Sequence, residues 1–196
     1  MHRSSMKKLA CAVALAGAFA TGTASAATTD LGTLPYGPTS FSGFAPPTSP
    51  LVPFLDIFTF VLPTSISSGY TVVNFPLEIP QGTFNLLFGG MALVDPGADG
   101  MPGGGDDTTL ASDVTPGGSA TLSVSFGPTA APRSLYLAVE GVADNAPGSL
   151  GGLYSGAISV TPVPEPEVWA MMLVGVGLVG FRLRNRSKRI AANRFA

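Results

Sequence analysis

Apolar and polar residues alternate along several short segments of the chain. In residues 119–126, SATLSVSF, every second residue is apolar and the residues between are serine or threonine. The same period of two recurs in residues 134–142 and 154–160. Because successive side chains of a strand point to opposite faces of a sheet, each of these segments predicts a half-buried β-strand.

Residues 54–62, FLDIFTFVL, are apolar at nearly every position, which predicts a central strand covered on both faces. Asp56 is the exception in this run. A buried carboxylate is costly unless it is hydrogen-bonded, so we expect Asp56 at a bulge or strand end, accepting backbone N–H groups. A ligand contact is the alternative. Further strands are predicted within residues 70–77, 84–94 and 108–114.

Glycine- and proline-rich stretches separate these segments, and no part of the body shows a sustained helical period. About seven short strands separated by such turn-forming stretches predict an all-β fold, an antiparallel β-sandwich of the Ig-like or jelly-roll kind. We place this body at residues 54–161. Residues 27–53 are proline-rich and are predicted to form a leader in front of it.

The first 26 residues have the three parts of a secretory signal peptide. A basic start precedes an apolar run, and the small residues Ala24 and Ala26 stand before Ala27. The pattern predicts export through the Sec translocon, with cleavage between Ala26 and Ala27. Cys11 lies within this peptide and is the one cysteine of the chain, so the mature protein has no disulfide.

The charged residues of the body restrict its chemistry. Between Ala27 and Phe181 there is one basic residue, Arg133, and no histidine, lysine or cysteine. Serine–histidine and cysteine–histidine catalysis and a histidine or cysteine zinc site are therefore excluded. An acidic body also argues against a nucleic-acid partner. Glu78 and Glu140 could form a glycosidase pair, but nothing in their spacing singles them out. We therefore predict a non-enzymatic protein without a cofactor.

One glycine-rich segment, DPGADGMPGGGDD, concentrates carboxylates. It supplies hard oxygen ligands of the kind that Ca²⁺ accepts, but its spacing matches neither an EF-hand nor a calcium-binding repeat. We therefore favour a solvated loop in which aspartates serve turns, and keep calcium as the alternative. The candidate ligands are Asp95, Asp99, Asp106 and Asp107.

The C-terminal segment has three parts in order. A proline-broken tetrad comes first, an uncharged run from Val168 to Phe181 follows, and a basic cluster ends it. The run predicts a single transmembrane helix with Trp169 at one interface, although about 21 Å of helix is short for a hydrocarbon core of about 30 Å. Its glycines, Gly175 to Gly180, fit G-x-G-x-x-G but lack the context of a dinucleotide site. The tetrad is Val163, Pro164, Glu165 and Pro166, and the basic cluster is Arg182, Arg184, Arg186, Lys188 and Arg189.

These three parts, over residues 162–189 and followed by a tail at 190–196, resemble the PEP-CTERM sorting signal of Gram-negative bacteria. The resemblance implies processing by exosortase, a membrane protease, after the precursor is anchored in the inner membrane with a periplasmic body. The body would then be released to the cell surface or an exopolysaccharide matrix. Phe54, Asp56 and Phe58 are also similar to the motif of the FxDxF family of such proteins.

A carbohydrate-binding or adhesive module of a biofilm matrix is the alternative function. Such a module would bind sugars through exposed aromatic side chains. The candidates in the sequence are Tyr36, Tyr70, Tyr136 and Tyr154.

Overall fold

The computed structural model describes residues 25–47, 52–64, 66–129, 131–163 and 166–192, and the side chains of the last range from 167 to 183. The chain divides after Thr161 into two compact units. The first holds all the described strands, and the second holds one helix. The predicted signal peptide lies outside the described residues except for Ser25 and Ala26, which open the first strand.

The first unit is built of strands, as the alternating pattern predicts. They are β1 (Ser25–Thr33), β2 (Gly37–Ala45), β3 (Phe54–Leu62), β4 (Ile66–Asn74), β5 (Leu77–Ile79), β6 (Gly82–Phe84), β7 (Leu86–Asp95), β8 (Thr108–Ser119), β9 (Thr121–Thr129), β10 (Arg133–Ala143) and β11 (Gly152–Pro162).

The hydrophobic core lies between two sheets. One has five strands in the order β1-β3-β10-β7-β8, the other has four in the order β2-β11-β4-β9, and β5 pairs with β6 in a separate hairpin. The strands are apolar on the faces that meet, so the described core is one cluster of aromatic and aliphatic side chains. Phe58, Phe88, Leu122 and Ile158 are examples from both sheets.

The prediction of an antiparallel sandwich needs one correction. β1 runs parallel to β3, with Ala27 opposite Asp56, whereas β3 pairs antiparallel with β10 and β10 with β7. The five-stranded sheet is therefore mixed. A period of two fixes which side chains share a face, but it does not fix the direction of a neighbouring strand.

The segments with clear alternation are strands in the structure. Leu122 and Val124 of β9, Leu135 and Leu137 of β10 and Ile158 of β11 all face the core. The central strand predicted at 54–62 is β3, with the same bounds.

The proline-rich segment predicted as a leader is part of the sandwich. Residues 27–53 contain most of β1 and the whole of β2, so the sandwich begins well before Phe54. β1 pairs with β3, and β2 pairs with β11 from Ala45↔Gly152 to Gly37↔Val160. Both strands are edges of their sheets, where fewer residues need to be large and apolar.

The second unit contains helix α1, Pro166–Ala192. Pro166 stands at its first position, where its missing N–H removes no helix hydrogen bond, and Glu167 places a carboxylate in the first turn. Side chains 167 to 183 are exposed all round the helix. The prediction of a transmembrane helix is not supported, because no helix in the described part of the chain is long and apolar enough to cross a membrane. The uncharged run is fourteen residues, and charged residues follow it at once.

Candidate functional site

Asp56 is the third of the nine residues of β3 and faces the core, within a regularly paired part of the strand and not at a bulge or at its terminal residue. It is 6% exposed, and Phe54 and Phe58 on either side of it are buried as well. The three residues of the FxDxF pattern therefore share the inner face of one strand, because they stand two positions apart. In this structure the three residues of the pattern are part of the buried interior of the sandwich.

The carboxylate of Asp56 has two hydrogen bonds. The backbone N–H of Ala27 donates to Oδ1 at 3.3 Å, and the hydroxyl of Tyr154 donates to Oδ2. Burial raises the pKa of Asp56, and the two hydrogen bonds oppose that shift. Burial also raises the pKa of Tyr154, and the neighbouring carboxylate raises it further. The Tyr154 phenol therefore donates to a desolvated carboxyl group whose pKa burial raises.

Aromatic rings surround this pair. The ring of Tyr154 stacks on Phe54 at 5.6 Å between centroids and meets Phe88 edge-on at 5.6 Å. These rings exclude water from Asp56, which is the physical cause of the raised pKa. Chemically, the arrangement is suited to holding a buried cation or a proton, because it is a carboxylate without a charged partner among the described residues.

A groove runs across the outer face of the five-stranded sheet. It encloses about 670 Å³, within the usual range for a small-molecule site. Ile57, Ala92 and Ala138 form its apolar floor, and glycines 103–105 form part of its wall. The segment between β7 and β8 thus covers the outer face of a strand that the sequence predicted to be buried on both sides.

One end of the groove carries Tyr136 and Asp107. The Tyr136 hydroxyl donates to Asp107 Oδ2 at 2.7 Å, and Gly103 N–H donates to the same oxygen at 2.8 Å. The other oxygen, Oδ1, is buried and has no hydrogen-bond partner within the described ranges. Burial raises the pKa of Tyr136, and the Asp107 carboxylate adds to that shift.

Glu140 also lines the groove. Its carboxylate lies over Gly90, where a Cβ would stand 2.8 Å from Oε1, so a larger residue at position 90 would displace it. Burial raises the pKa of Glu140. Glu78, the other member of the glycosidase pair considered above, is exposed on β5 and does not line the groove. The structure therefore does not bring this pair into one site.

The aspartates of the glycine-rich segment serve turns. Asp99 accepts from Met101 N–H at 2.9 Å and Asp106 from Ala98 N–H at 2.6 Å. Asp95 accepts from Arg133 Nε at 2.9 Å, and this contact lowers the pKa of Asp95. Within the described residues, no three acidic side chains lie together in a way that could hold a metal ion. The calcium alternative has no support in this geometry.

Three of the four tyrosines proposed to bind carbohydrate are buried. Tyr70, Tyr136 and Tyr154 are 1%, 7% and 2% exposed, and only Tyr36 of that set is exposed, at 58%. The expectation of an exposed aromatic surface built from these four residues is therefore wrong. Tyrosines in alternating strands face the core or a covered outer face because the sheets need large rings to fill their interior.

The sorting segment begins where the sandwich ends. β11 runs to Pro162, and the last core residue is Val160. Val163 follows outside any strand or helix, Pro164 and Glu165 lie outside the described residues, and α1 begins at Pro166. Gly175, Gly177 and Gly180 lie within α1, so they form no phosphate-binding turn.

Residues 162–187 match the family model of the PEP-CTERM protein-sorting motif. This confirms the resemblance drawn from the C-terminal segment, whereas the FxDxF resemblance stays a prediction. The motif implies an exported protein that is a target of exosortase. No curated protein matches the sequence significantly.

Solved structures give weaker likenesses. The pre-peptidase C-terminal domain of collagenase from Bacillus anthracis has 16% identity and a TM-score of 0.37 over 72% of this chain and 100% of that one. PliG of Aeromonas hydrophila, a periplasmic inhibitor of g-type lysozyme, has 15% identity and a TM-score of 0.32 over 70% and 100%. TM-scores this low carry no argument about function.

Proposed function

We propose that this chain is the precursor of a non-enzymatic cell-envelope or extracellular-matrix protein whose C-terminal segment is a removable sorting signal. The signal peptide sends the body across the inner membrane, and an exosortase-type protease then processes the PEP-CTERM motif. The released body reaches the cell surface or an exopolysaccharide matrix. The motif match at residues 162–187 supports the sorting step, and the signal-peptide pattern supports the export step.

One observation carries the proposal. The motif starts at residue 162, and every described core residue lies before it, the last being Val160. Cleavage near the tetrad would therefore remove no core side chain. The exposed apolar side chains of α1, from Val168 to Phe181, are the surface that lipid or a membrane protease would cover.

The test is the intact mass of the protein isolated from its exporting host. We expect Glu165→Ala, or replacement of the basic cluster by glutamine, to leave an unprocessed, membrane-bound form. Glu167→Ala is the matched control, because it removes a neighbouring carboxylate that lies outside the tetrad. If fractionation shows Glu165→Ala and the parent released to the same extent, this processing mechanism is wrong.

The groove favours a second candidate function, the binding of a carbohydrate by the released body. Its apolar floor and the polar groups of Tyr136, Asp107 and Glu140 are the combination that sugar sites use. A glycan array with the purified protein tests it, with Glu140→Gln as the groove variant. Binding that Glu140→Gln abolishes would support it, and uniformly blank spots with the parent would remove it.

A further inference from the structure

Asp56 has no positively charged partner among the residues that the structure describes. The described residues contain one salt bridge, between Arg133 and Asp95, and Arg133 is the only basic residue between Ala27 and Phe181. No side chain of the body can therefore neutralise Asp56. A buried carboxylate in this position is normally paired with a cation or kept protonated.

The backbone nitrogen of Ala27 donates a hydrogen bond to Asp56 Oδ1, at 3.3 Å. The contact follows from the parallel pairing of β1 and β3, which sets Ala27 opposite Asp56. Ala27 is also the residue that follows the small-residue pattern Ala24-Ser25-Ala26, where a signal peptidase would cut. The atom that approaches the buried carboxylate is thus the atom that cleavage would expose.

We propose that signal-peptide cleavage between Ala26 and Ala27 converts this amide nitrogen into an α-ammonium group that pairs with the Asp56 carboxylate inside the sandwich. The inference rests on the proposed function, because it needs the export step. In the cleavage, water breaks the bond between Ala26 C and Ala27 N. Ala26 leaves as a carboxylate, and the nitrogen of Ala27 takes up the two protons of the water molecule. Export would thereby supply the one positive charge that the body lacks at Asp56.

The rest of β1 can keep its place after cleavage. The pairs Ser25↔Phe54 and Ala26↔Leu55 would be lost, whereas those from Thr28↔Ile57 to Thr33↔Val61 involve only mature residues. The new ion pair would therefore hold the first residue of the mature chain to the central strand. This arrangement joins an edge strand to the sheet at the point where its ladder would otherwise fray.

Few other charged groups can disturb this pair. Tyr154 of β11 is the titratable side chain that contacts Asp56, and β10 presents Val139 opposite it. Glu140 points to the outer face of the same sheet. Asp30, further along β1, accepts hydrogen bonds from Gly32 and Thr59. The α-amino group of Ala27 would thus titrate mainly against Asp56.

The test measures the pKa of that α-amino group. Residues 27–196 are produced from a fusion whose protease leaves Ala27 first, and the pH dependence of α-amine acetylation by acetic anhydride is followed by mass spectrometry. Lys188, the only lysine within residues 27–196, is the internal reference amine. We expect the α-amino pKa to lie about one unit or more above its ordinary value near 8, and Asp56→Asn or urea to restore that value.

A chain that keeps Ser25 and Ala26 is the second variant and does not depend on Asp56→Asn folding. Its α-amine stands two residues away from Ala27, so it should titrate normally and the protein should melt at a lower temperature. Equal α-amino pKa values in the three chains would overturn the inference.

The intact mass of the host-processed protein separates this inference from the proposed function. An N-terminus at any residue other than Ala27 overturns the inference, because the Ala27 nitrogen would then stay an amide. A C-terminus beyond the basic cluster would instead contradict the sorting step and leave the N-terminal pair unaffected. The two ends therefore report on the two ideas independently.

Discussion

At the scale of single residues, Tyr154 decides how well the sandwich tolerates Asp56, because its hydroxyl is the one side-chain donor to that carboxylate in the described part of the chain. Burial raises the pKa of Asp56 above its ordinary value of 3.8, so in a chain that still carries residues 25 and 26 folding favours the protonated acid more than the unfolded chain does. The stability of that chain should then fall as the pH rises from about 4 through the folded pKa of Asp56.

Tyr154→Phe should therefore lower the free energy of unfolding more at pH 7 than at pH 4. The hydrogen bond from Tyr154 lowers the pKa of Asp56, so it stabilises the ionised carboxylate more than the neutral acid, and a hydrogen bond to a charged group is worth roughly 1.5–3 kcal/mol. Tyr70→Phe is the control, because the Tyr70 hydroxyl bonds the neutral Ser68 hydroxyl at 2.9 Å in the same core. Urea unfolding at both pH values measures the losses, and equal losses for Tyr154→Phe at the two would contradict the charge-based account.

Arg133 and Asp95 form the second pair of interest, on the surface between β10 and the end of β7. The guanidinium lowers the pKa of Asp95, so its contribution to stability is present above pH 4 and is lost as the pH falls through the lowered pKa. Because both side chains are partly exposed, we expect Arg133→Gln to cost under about 1 kcal/mol, and less in high salt. Denaturation at low and high salt checks this, and a loss independent of salt would point instead to the contact of Arg133 with the Phe126 ring.

At the scale of elements, β2 and β11 are joined by glycines that face aromatic rings. Gly156 pairs with Phe41 and Gly43 with Tyr154, and a Cβ on either glycine would stand 2.2 Å from the opposite ring. Each ring thus lies over the bare backbone of the neighbouring strand. This packing lets a strand with few large apolar residues still close one side of the core.

Gly156→Ala should destabilise the sandwich by about 1–3 kcal/mol, because the added methyl group overpacks the space that Phe41 occupies. Gly69→Ala on β4 is the matched control. A Cβ there meets nothing within 4 Å, so this change should be neutral or slightly stabilising. Thermal unfolding of both variants measures the difference. If Gly156→Ala melts with the parent, the ring has moved aside and the pairing is less specific than described.

The same elements show what a sequence can and cannot predict. β9, β10 and β11 have enough alternating large residues to be predicted, whereas β1 and β2 do not, because glycine, alanine and hydroxyl residues carry little periodic signal. Tyr136 was predicted to be exposed but is buried, and its hydroxyl bonds Asp107 of the segment before β8. Asp56 could be singled out as an anomaly, but its partners lie 29 and 98 residues away, and no local pattern encodes such contacts.

At the scale of the whole molecule, the strand order favours one of the two predicted sandwich types. Each sheet places strands distant in sequence side by side, with β11 beside β2 and β10 beside β3. We infer a jelly roll, because the orders β3-β10-β7-β8 and β2-β11-β4-β9 are those of two four-stranded layers joined as two Greek keys, with β1 added beside β3. In such a fold the first and last strands of the core are neighbours, so the four-stranded sheet is complete only when β11 pairs with β2.

This closure leads to a prediction about where the chain can be cut. A chain that ends at Val163 should keep the melting temperature of the full chain within about 2 °C in the same detergent, because its last core residue, Val160, is retained. A chain that ends at Gly156 should fail to fold, because it loses Ile158, Val160 and their pairs with β2. Circular dichroism melts of the three chains measure both outcomes. If the chain ending at Val163 melted far below the full chain, the sorting segment would be a structural part of the protein, and its removal would not leave an intact body to be released.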